Sequence, residues 1–366
     1  MIDSEGPRLS NIRAAVYRIP TDAPEADGTF AWDSTTLVVV HVQGGSETGM
    51  GYTYADGAAA GLVSGLLADS IKDKTSFDLP GAWAAMWRAV RNVGRSGLAA
   101  CAISAVDAAL WDLKARLLDQ PLASLLGRCR NRVAVYGSGG FTSYSDGQLK
   151  RQLSDWVHED GCQAVKMKVG SEPARDPQRI AAARAAIGSA ELFIDANGAL
   201  SARESLSLAQ RCADSDIRWL EEPVTSDDVE GHRLVRESVS PRIDVAAGEY
   251  NYNLDDARRL LECGAVDVLQ ADATRCGGIT GFLQIGTLCE AHHIDLSGHC
   301  APSLHCHVAC AIPRVRHVEW FHDHARIERM LFEGAPAVRD GFMSPDPGRP
   351  GHGLAIRTQD AQAFQI

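Results

Sequence analysis

Residues 165–170 read VKMKVG. Side chains alternate faces along a strand, so Lys166 and Lys168 share one face while Val165, Met167 and Val169 share the other. The run is short, apolar apart from its lysines, and closed by glycine. It predicts a buried strand that carries two ammonium groups on one side.

Around it, similar apolar runs alternate with helical stretches. RVAVYG, ELFIDANG, IRWLEEP, IDVAAGE, AVDVLQAD and IDLSGHC are separated by segments such as DPQRIAAARAAIG, SARESLSLAQRCA and NLDDARRLLECG. Repeated β–α alternation predicts a parallel sheet with crossover helices. Polar residues end the successive strands: Lys168, Asp195, Glu221, Glu249, Asp272 and His299, spaced 23 to 28 residues apart. One ionisable residue per unit, each at a C-terminal strand end, is how a (β/α) barrel assembles a site. An open doubly wound sheet gathers its chemistry at one switch point instead, and no GxGxxG follows the early strands. The fold class read from the sequence is therefore α/β, a TIM-type barrel over residues 128–325. Ahead of it, AAVYRI, TTLVVVHV and GMGYTYA read as strands and LAACAISAVDAALWDLKARLL as a helix, giving an α+β domain over 1–127. Residues 326–366 are loop-rich and are expected to pack back on that first domain.

Composition narrows the partners. The 366 residues carry a formal net charge of −11, with 36 basic against 47 acidic side chains. That balance argues against nucleic acid or an anionic membrane as partner and leaves room for a small anionic substrate at a local basic site. The N-terminal MIDSEGPRLS has no apolar core for a secretory signal, and no run reaches membrane-span length. Ten scattered cysteines without a CxxC pair read as free, mostly buried thiols of a reducing cytoplasm.

Three carboxylates, Asp195, Glu221 and Glu249, end consecutive strands. Any one of them alone reads as a helix cap or surface acid; together they are a hard oxygen donor set suited to Mg²⁺. Glu222, one residue on, is expected to face away and serve structure, and Asn197 to serve structure or stand beside the metal. Two lysines buried side by side should have lowered pKa values, since burial and like charge disfavour the ammonium form. Enzymes bring such a group from about 10.4 to roughly 7–8 for use as a base. Across the barrel, Asp272 can orient the His299 ring, and Glu319 in HVEWFHDH can serve a developing oxyanion. A metal between two bases suits abstraction of a proton next to a carboxylate.

The series VKMKVG, DANG, EEP, GE, ADATRCGG and SGH resembles the enolase superfamily, in its mandelate racemase and muconate lactonizing branch. The resemblance implies Lys168 as base with Lys166 its electrostatic partner, Asp195, Glu221 and Glu249 as Mg²⁺ ligands, and a His299–Asp272 dyad. That dyad is more similar to mandelate racemase and acid-sugar dehydratases than to the cycloisomerases. Glu319 stands one position off the spacing the family implies. The resemblance also implies that the N-terminal domain caps the barrel mouth through loops near TDAPEADGTFAWDS and SETGMGYTYADG, where Phe30, Trp32 and Tyr52 are candidate substrate contacts. Dehydration of an acid sugar is the first expectation, racemisation or epimerisation of an α-hydroxy acid the second, in a cytoplasmic homo-oligomer.

Competing readings are a zinc site in the His- and Cys-rich segment 299–324, a phosphate cradle at CGGITG, and a barrel without activity that serves only to bind. His305 and His307 are two apart and do not share a helical face. His322 and His324 are expected in a loop after the last strand.

Overall fold

β-branched runs build the N-terminal sheet. In a computed structural model that describes residues 6–366, leaving the first half of MIDSEGPRLS outside the described residues, β1 (Leu9–Ala26), β2 (Ala31–Gly44) and β3 (Glu47–Tyr54) pair antiparallel. The TTLVVVHV run is unbroken because both faces of β2 are covered. Val38, Val40 and Val42 pack with Ile103, Val106 and Leu110 of the helix Leu98–Leu117, while Leu37 and Val39 join the core shared with the barrel. That helix lies close on β3: a Cβ on Gly49 or Gly51 would come within 2.1–2.2 Å of its backbone oxygens, so only glycine allows the contact.

Eight parallel strands follow: β4 (Val133–Gly139), β5 (Ala164–Lys168), β6 (Glu191–Asp195), β7 (Ile217–Glu221), β8 (Asp244–Ala247), β9 (Val268–Ala271), β10 (Asp295–Gly298) and β11 (Val315–Phe321). β11 pairs with β4, Val318 beside Val135, and closes the barrel. In-register pairing sets Lys168 beside Asp195, and Asp195 beside Glu221. Inward positions Tyr136, Ala164, Phe193, Trp219, Ala246 and Val268 bury one another at the barrel centre, and outward Val165, Met167, Ile194 and Leu220 pack into the main core. Sequence-local capping boxes at Ser145 and Ser201 start two of the outer helices. Among the described residues no helix is long and apolar enough to cross a membrane, and the ten cysteines are unpaired, all but Cys129 and Cys263 buried.

His322 and His324 are not in a loop. β11 ends at Phe321 and the chain enters the helix His322–Leu331 without an intervening turn, with Asp323 in its first turn. This helix runs across residue 325. Beyond it, Phe342–Met343 pairs with β4, while the last residues return to β1 through Arg18 N–H donating to Phe364 O and Ile366 N–H donating to Val16 O.

The helix also presents Glu328 to the N-terminal sheet, where it accepts from Tyr52 (2.8 Å), Tyr54 (3.3 Å) and Ser303 N–H (2.9 Å). Burial pushes this carboxyl up to about 7, against the lowering effect of those donors. A carboxyl raised above its unfolded value of 4.5 contributes its stability below that value and loses it as pH rises through 7. Relative to Glu328→Gln, the wild type should therefore lose stability between pH 4.5 and 7. Urea unfolding of both proteins across that range measures it, and a pH-independent difference would contradict it.

Candidate active site

Alternation delivers the lysines of β5 to the barrel centre. Lys166 Nζ bonds to Glu221 Oε1 and lies 2.8 Å from Glu319 Oε1 and 3.3 Å from Asp195 Oδ2. Lys168 Nζ donates to Asp195 Oδ2 at 2.6 Å. Both lysines are buried. Their expected lowered pKa values are reversed. Burial does push the ammonium groups down, but Glu221, Glu319 and Asp195 outweigh it at Lys166, as Asp195 does at Lys168, and both are raised. The like charge of the pair is the weaker effect because each nitrogen touches a carboxylate.

Asp195, Glu221 and Glu249 each place one oxygen within 4.8 Å of the others. Asn197 N–H holds Asp195 Oδ1 at 2.9 Å and Trp219 Nε1–H holds Glu221 Oε2 at 2.8 Å, fixing both carboxylates. Glu249 is carried past β8 by Gly248, whose φ of +131° and contact with Gln270 O leave no room for a Cβ. Glu249 Oε2 is buried with no hydrogen-bond donor. Burial and Asp195 raise the Glu221 pKa; at Asp195 the two lysines overcome burial and lower it.

Opposite the lysines, His299 Nδ1 lies 3.0 Å from Asp272 Oδ2, and Asp272 Oδ1 accepts from Thr274 N–H and Oγ1–H at 2.7 Å each. Burial would raise Asp272, yet the His299 hydrogen bond and charge hold it well below the usual carboxylate range. Burial likewise lowers His299, and Glu249, Glu319 and Asp272 together raise it above its ordinary value. With Nδ1–H committed to Asp272, Nε2 lies 3.3 Å from Cys300 Sγ, 3.5 Å from Glu249 and 3.6 Å from Glu319. Glu319 is inward in β11 and accepts from Ser138 Oγ–H at 2.6 Å and Cys300 N–H at 3.0 Å.

A cavity of about 250 Å³ is lined by Lys168, Glu249, His299, Glu319 and Asn197. Phe30 and Trp32 reach it from the N-terminal domain, stacked at 6.2 Å with Phe30 67% exposed. Tyr52 does not reach it. It faces the barrel from β3, but its ring packs on Phe332 and its hydroxyl is taken by Glu328.

The sequence reading misplaces one residue of the site and misses another. Glu222 has a positive φ of 38°, so strand alternation stops at Glu221; Glu222 lies near Glu249 and Asp195 with Oε1 unpartnered, rather than on the opposite face. Arg275 lines the cavity between Glu249 (3.5 Å) and Asp272 (3.7 Å). Its only sequence signal is its place three residues after Asp272.

The rival chemical readings fare differently. His305 is satisfied, its Nε2 accepting from Ala273 N–H at 2.9 Å, and neither it nor His307 belongs to a group of ligand atoms among the described residues, whereas in the same segment His299, Cys300 and Glu319 bring one ligand atom each within 4.8 Å of the others. At CGGITG, the N–H groups of Gly277 and Gly278 donate to Ser104 Oγ and that of Thr280 to Asp107. The helix Leu98–Leu117 thus already takes the donors a phosphate would need.

Residues 15–127 match the family described as mandelate racemase / muconate lactonizing enzyme, N-terminal domain, and residues 148–361 that described as enolase C-terminal domain-like. The chain belongs to the enolase superfamily, in its mandelate racemase/muconate lactonizing branch. It is 33% identical to a 3,6-anhydro-alpha-L-galactonate cycloisomerase of Streptomyces coelicolor, over 95% of this chain and 97% of that enzyme. It is also 33% identical to an L-talarate/galactarate dehydratase of Salmonella typhimurium, over 81% of this chain and 74% of that one. A structure of that dehydratase liganded with Mg and L-lyxarohydroxamate superposes with a TM-score of 0.89 at 27% identity, over 99% of this chain and 93% of that one. A mandelate racemase/muconate lactonizing enzyme-like protein from Rubrobacter xylanophilus superposes with a TM-score of 0.96 at 48% identity, over 98% and 100%. Members of this branch among the relatives are dehydratases, cycloisomerases and racemases, that is, lyases and isomerases.

Proposed function

We propose that this protein is a Mg²⁺-dependent acid-sugar dehydratase that uses Lys168 and His299 as opposed proton-transfer groups. The observation that carries this reading is that both line one cavity, from the ends of the non-adjacent strands β5 and β10, beside the Asp195–Glu221–Glu249 cluster. Three hard oxygen donors and the orphaned, buried Glu249 Oε2 fit a hard divalent cation. When bound there, Mg²⁺ supplies charge to stabilise the substrate carboxylate and balances the acids that otherwise keep Lys168 protonated.

Lys168 Nζ takes the proton from the carbon next to the carboxylate. The Lys166 ammonium, held by Glu221, Glu319 and Asp195, opposes the enediolate charge that develops. His299 gives the Nε2 proton to the departing β-hydroxyl, so water leaves and the enol of a 2-keto-3-deoxy acid remains. Asp272 holds the ring oriented throughout. Return of a proton from His299 to the α-carbon would instead give racemisation or epimerisation, and the facing position of Nε2 favours that as the second reading.

The cavity also supports a substrate class. The cap contributes Asp27, Phe30, Trp32, Ser34 and Thr35, with no lysine or arginine, whereas Lys168 and Arg275 stand at the carboxylate cluster. A polyol with one carboxylate suits this asymmetry better than a diacid, whose far carboxylate would meet no cation. A panel of aldonates and aldarates with Mg²⁺, read by a carbonyl-reactive assay for 2-keto-3-deoxy acids, tests this: turnover of an aldonate supports it, and turnover confined to diacids contradicts it.

Asp195→Asn should weaken Mg²⁺ binding by about tenfold or more, since even outer partners of ligands cost 10–100-fold. Calorimetric titration of both proteins measures this, and equal affinity would remove Asp195 from the ligand set.

A further inference from the structure

Outside the active site, Asp22, Glu25 and His322 each offer a ligand atom within 4.8 Å of the other two. Asp22 and Glu25 belong to the end of β1, where pairing with β2 slips between Pro20 and Glu25, and such an irregularity re-aims side chains. His322 opens the helix after β11 and places Nε2 3.0 Å from Asp22 Oδ2.

Glu25 is the independent observation. It is 1% exposed; Oε2 accepts from Trp32 Nε1–H at 2.8 Å, and Oε1 has no partner among the described residues. A buried carboxylate oxygen without a donor is costly unless a proton or a cation satisfies it. The surrounding charge favours a cation: Asp22 and Asp323 stand near Glu25, and the nearby Arg326 is already paired with Asp323.

We propose that Asp22, Glu25 and His322 form a second divalent-cation site that pins the cap to the barrel beside the active-site cavity. One imidazole and two carboxylates suit Zn²⁺ or a similar first-row ion rather than Mg²⁺, which prefers oxygen alone. His322 lines an outer cleft of about 340 Å³, which gives the ion a path from solvent, and Asp22 is exposed. Glu25 links the site to function, because the Trp32 it holds lines the substrate cavity. The site is independent of the dehydratase reading.

The test is equilibrium Zn²⁺ binding in excess Mg²⁺, with Cys129, the exposed thiol, alkylated in every sample. Four chains are compared: wild type, Asp195→Asn, Asp22→Asn and His322→Gln. The wild type and Asp195→Asn should each retain one Mg²⁺-resistant Zn²⁺ per chain, and Co²⁺ in its place should give visible absorption. Asp22→Asn and His322→Gln should bind that ion at least about tenfold more weakly, with unchanged circular dichroism. Wild-type affinity in both of these variants, or no Mg²⁺-resistant Zn²⁺ in the wild type, would overturn the proposal. Loss of the ion in Asp195→Asn alone would assign it to the active site and overturn it as well.

Discussion

Lys168→Ala and His299→Asn should each lower kcat/KM by about 10²–10⁴-fold, the contribution of a positioned proton-transfer group. Geometry gives the two residues different failure modes. Lys168 pairs with Asp195, so its loss removes a proton acceptor and leaves Lys166 to hold that carboxylate. Asparagine at 299 can still donate to Asp272 yet has no titratable nitrogen, so Asp272 stays satisfied while proton transfer stops. Lys168→Arg separates charge from chemistry: it keeps the cation beside Asp195 but cannot release the proton, so it should be as inactive as alanine. Near-wild-type turnover in Lys168→Arg would show that only the positive charge is needed there.

Lys166→Ala should cost the Mg²⁺-free protein about 3–5 kcal/mol of stability, because it strips the shared partner from buried carboxylates. Among the described residues, Glu221 and Glu319 have no other cation within salt-bridge distance apart from His299 beside Glu319. The deficit should narrow when Mg²⁺ is added, since a dication opposes the same charge. Urea unfolding in chelator and in Mg²⁺ measures both statements. A loss below about 1 kcal/mol, the range of exposed ion pairs, would mean that the acids are protonated and need no partner.

The part of the site that lies on strands was legible because alternation is rigid. VKMKVG placed both lysines inward before any neighbour was considered, and the even spacing of Asp195, Glu221, Asp272 and His299 put them at one end of the barrel. Glu319, though off the family spacing, pairs in register with Tyr136 and so faces the same centre. Legibility fails where the backbone leaves the strand. The positive φ at Glu222 turns its side chain back toward Glu249, which no alternation rule anticipates. Tyr52, expected as a substrate contact, faces the barrel but gives its hydroxyl to Glu328 rather than to the cavity. The CGGITG turn is a fair anion cradle by itself, and only the approach of Ser104 and Asp107 from another domain fills it. The lysine pKa shift was misjudged for the same reason: like charge is visible in KMK, whereas the compensating acids come from three other strands.

The central claim is that two proton-transfer groups face one α-carbon from opposite walls. Its most direct measurement is α-deuterium incorporation in D₂O with Mg²⁺, followed by NMR on a turned-over aldonate or hydroxy acid and its epimer. Wild type should promote exchange or water loss. Lys168→Ala should abolish it for one α-configuration and His299→Asn for the other, or stall elimination after exchange. Undiminished exchange and product in both variants would contradict the two-sided site.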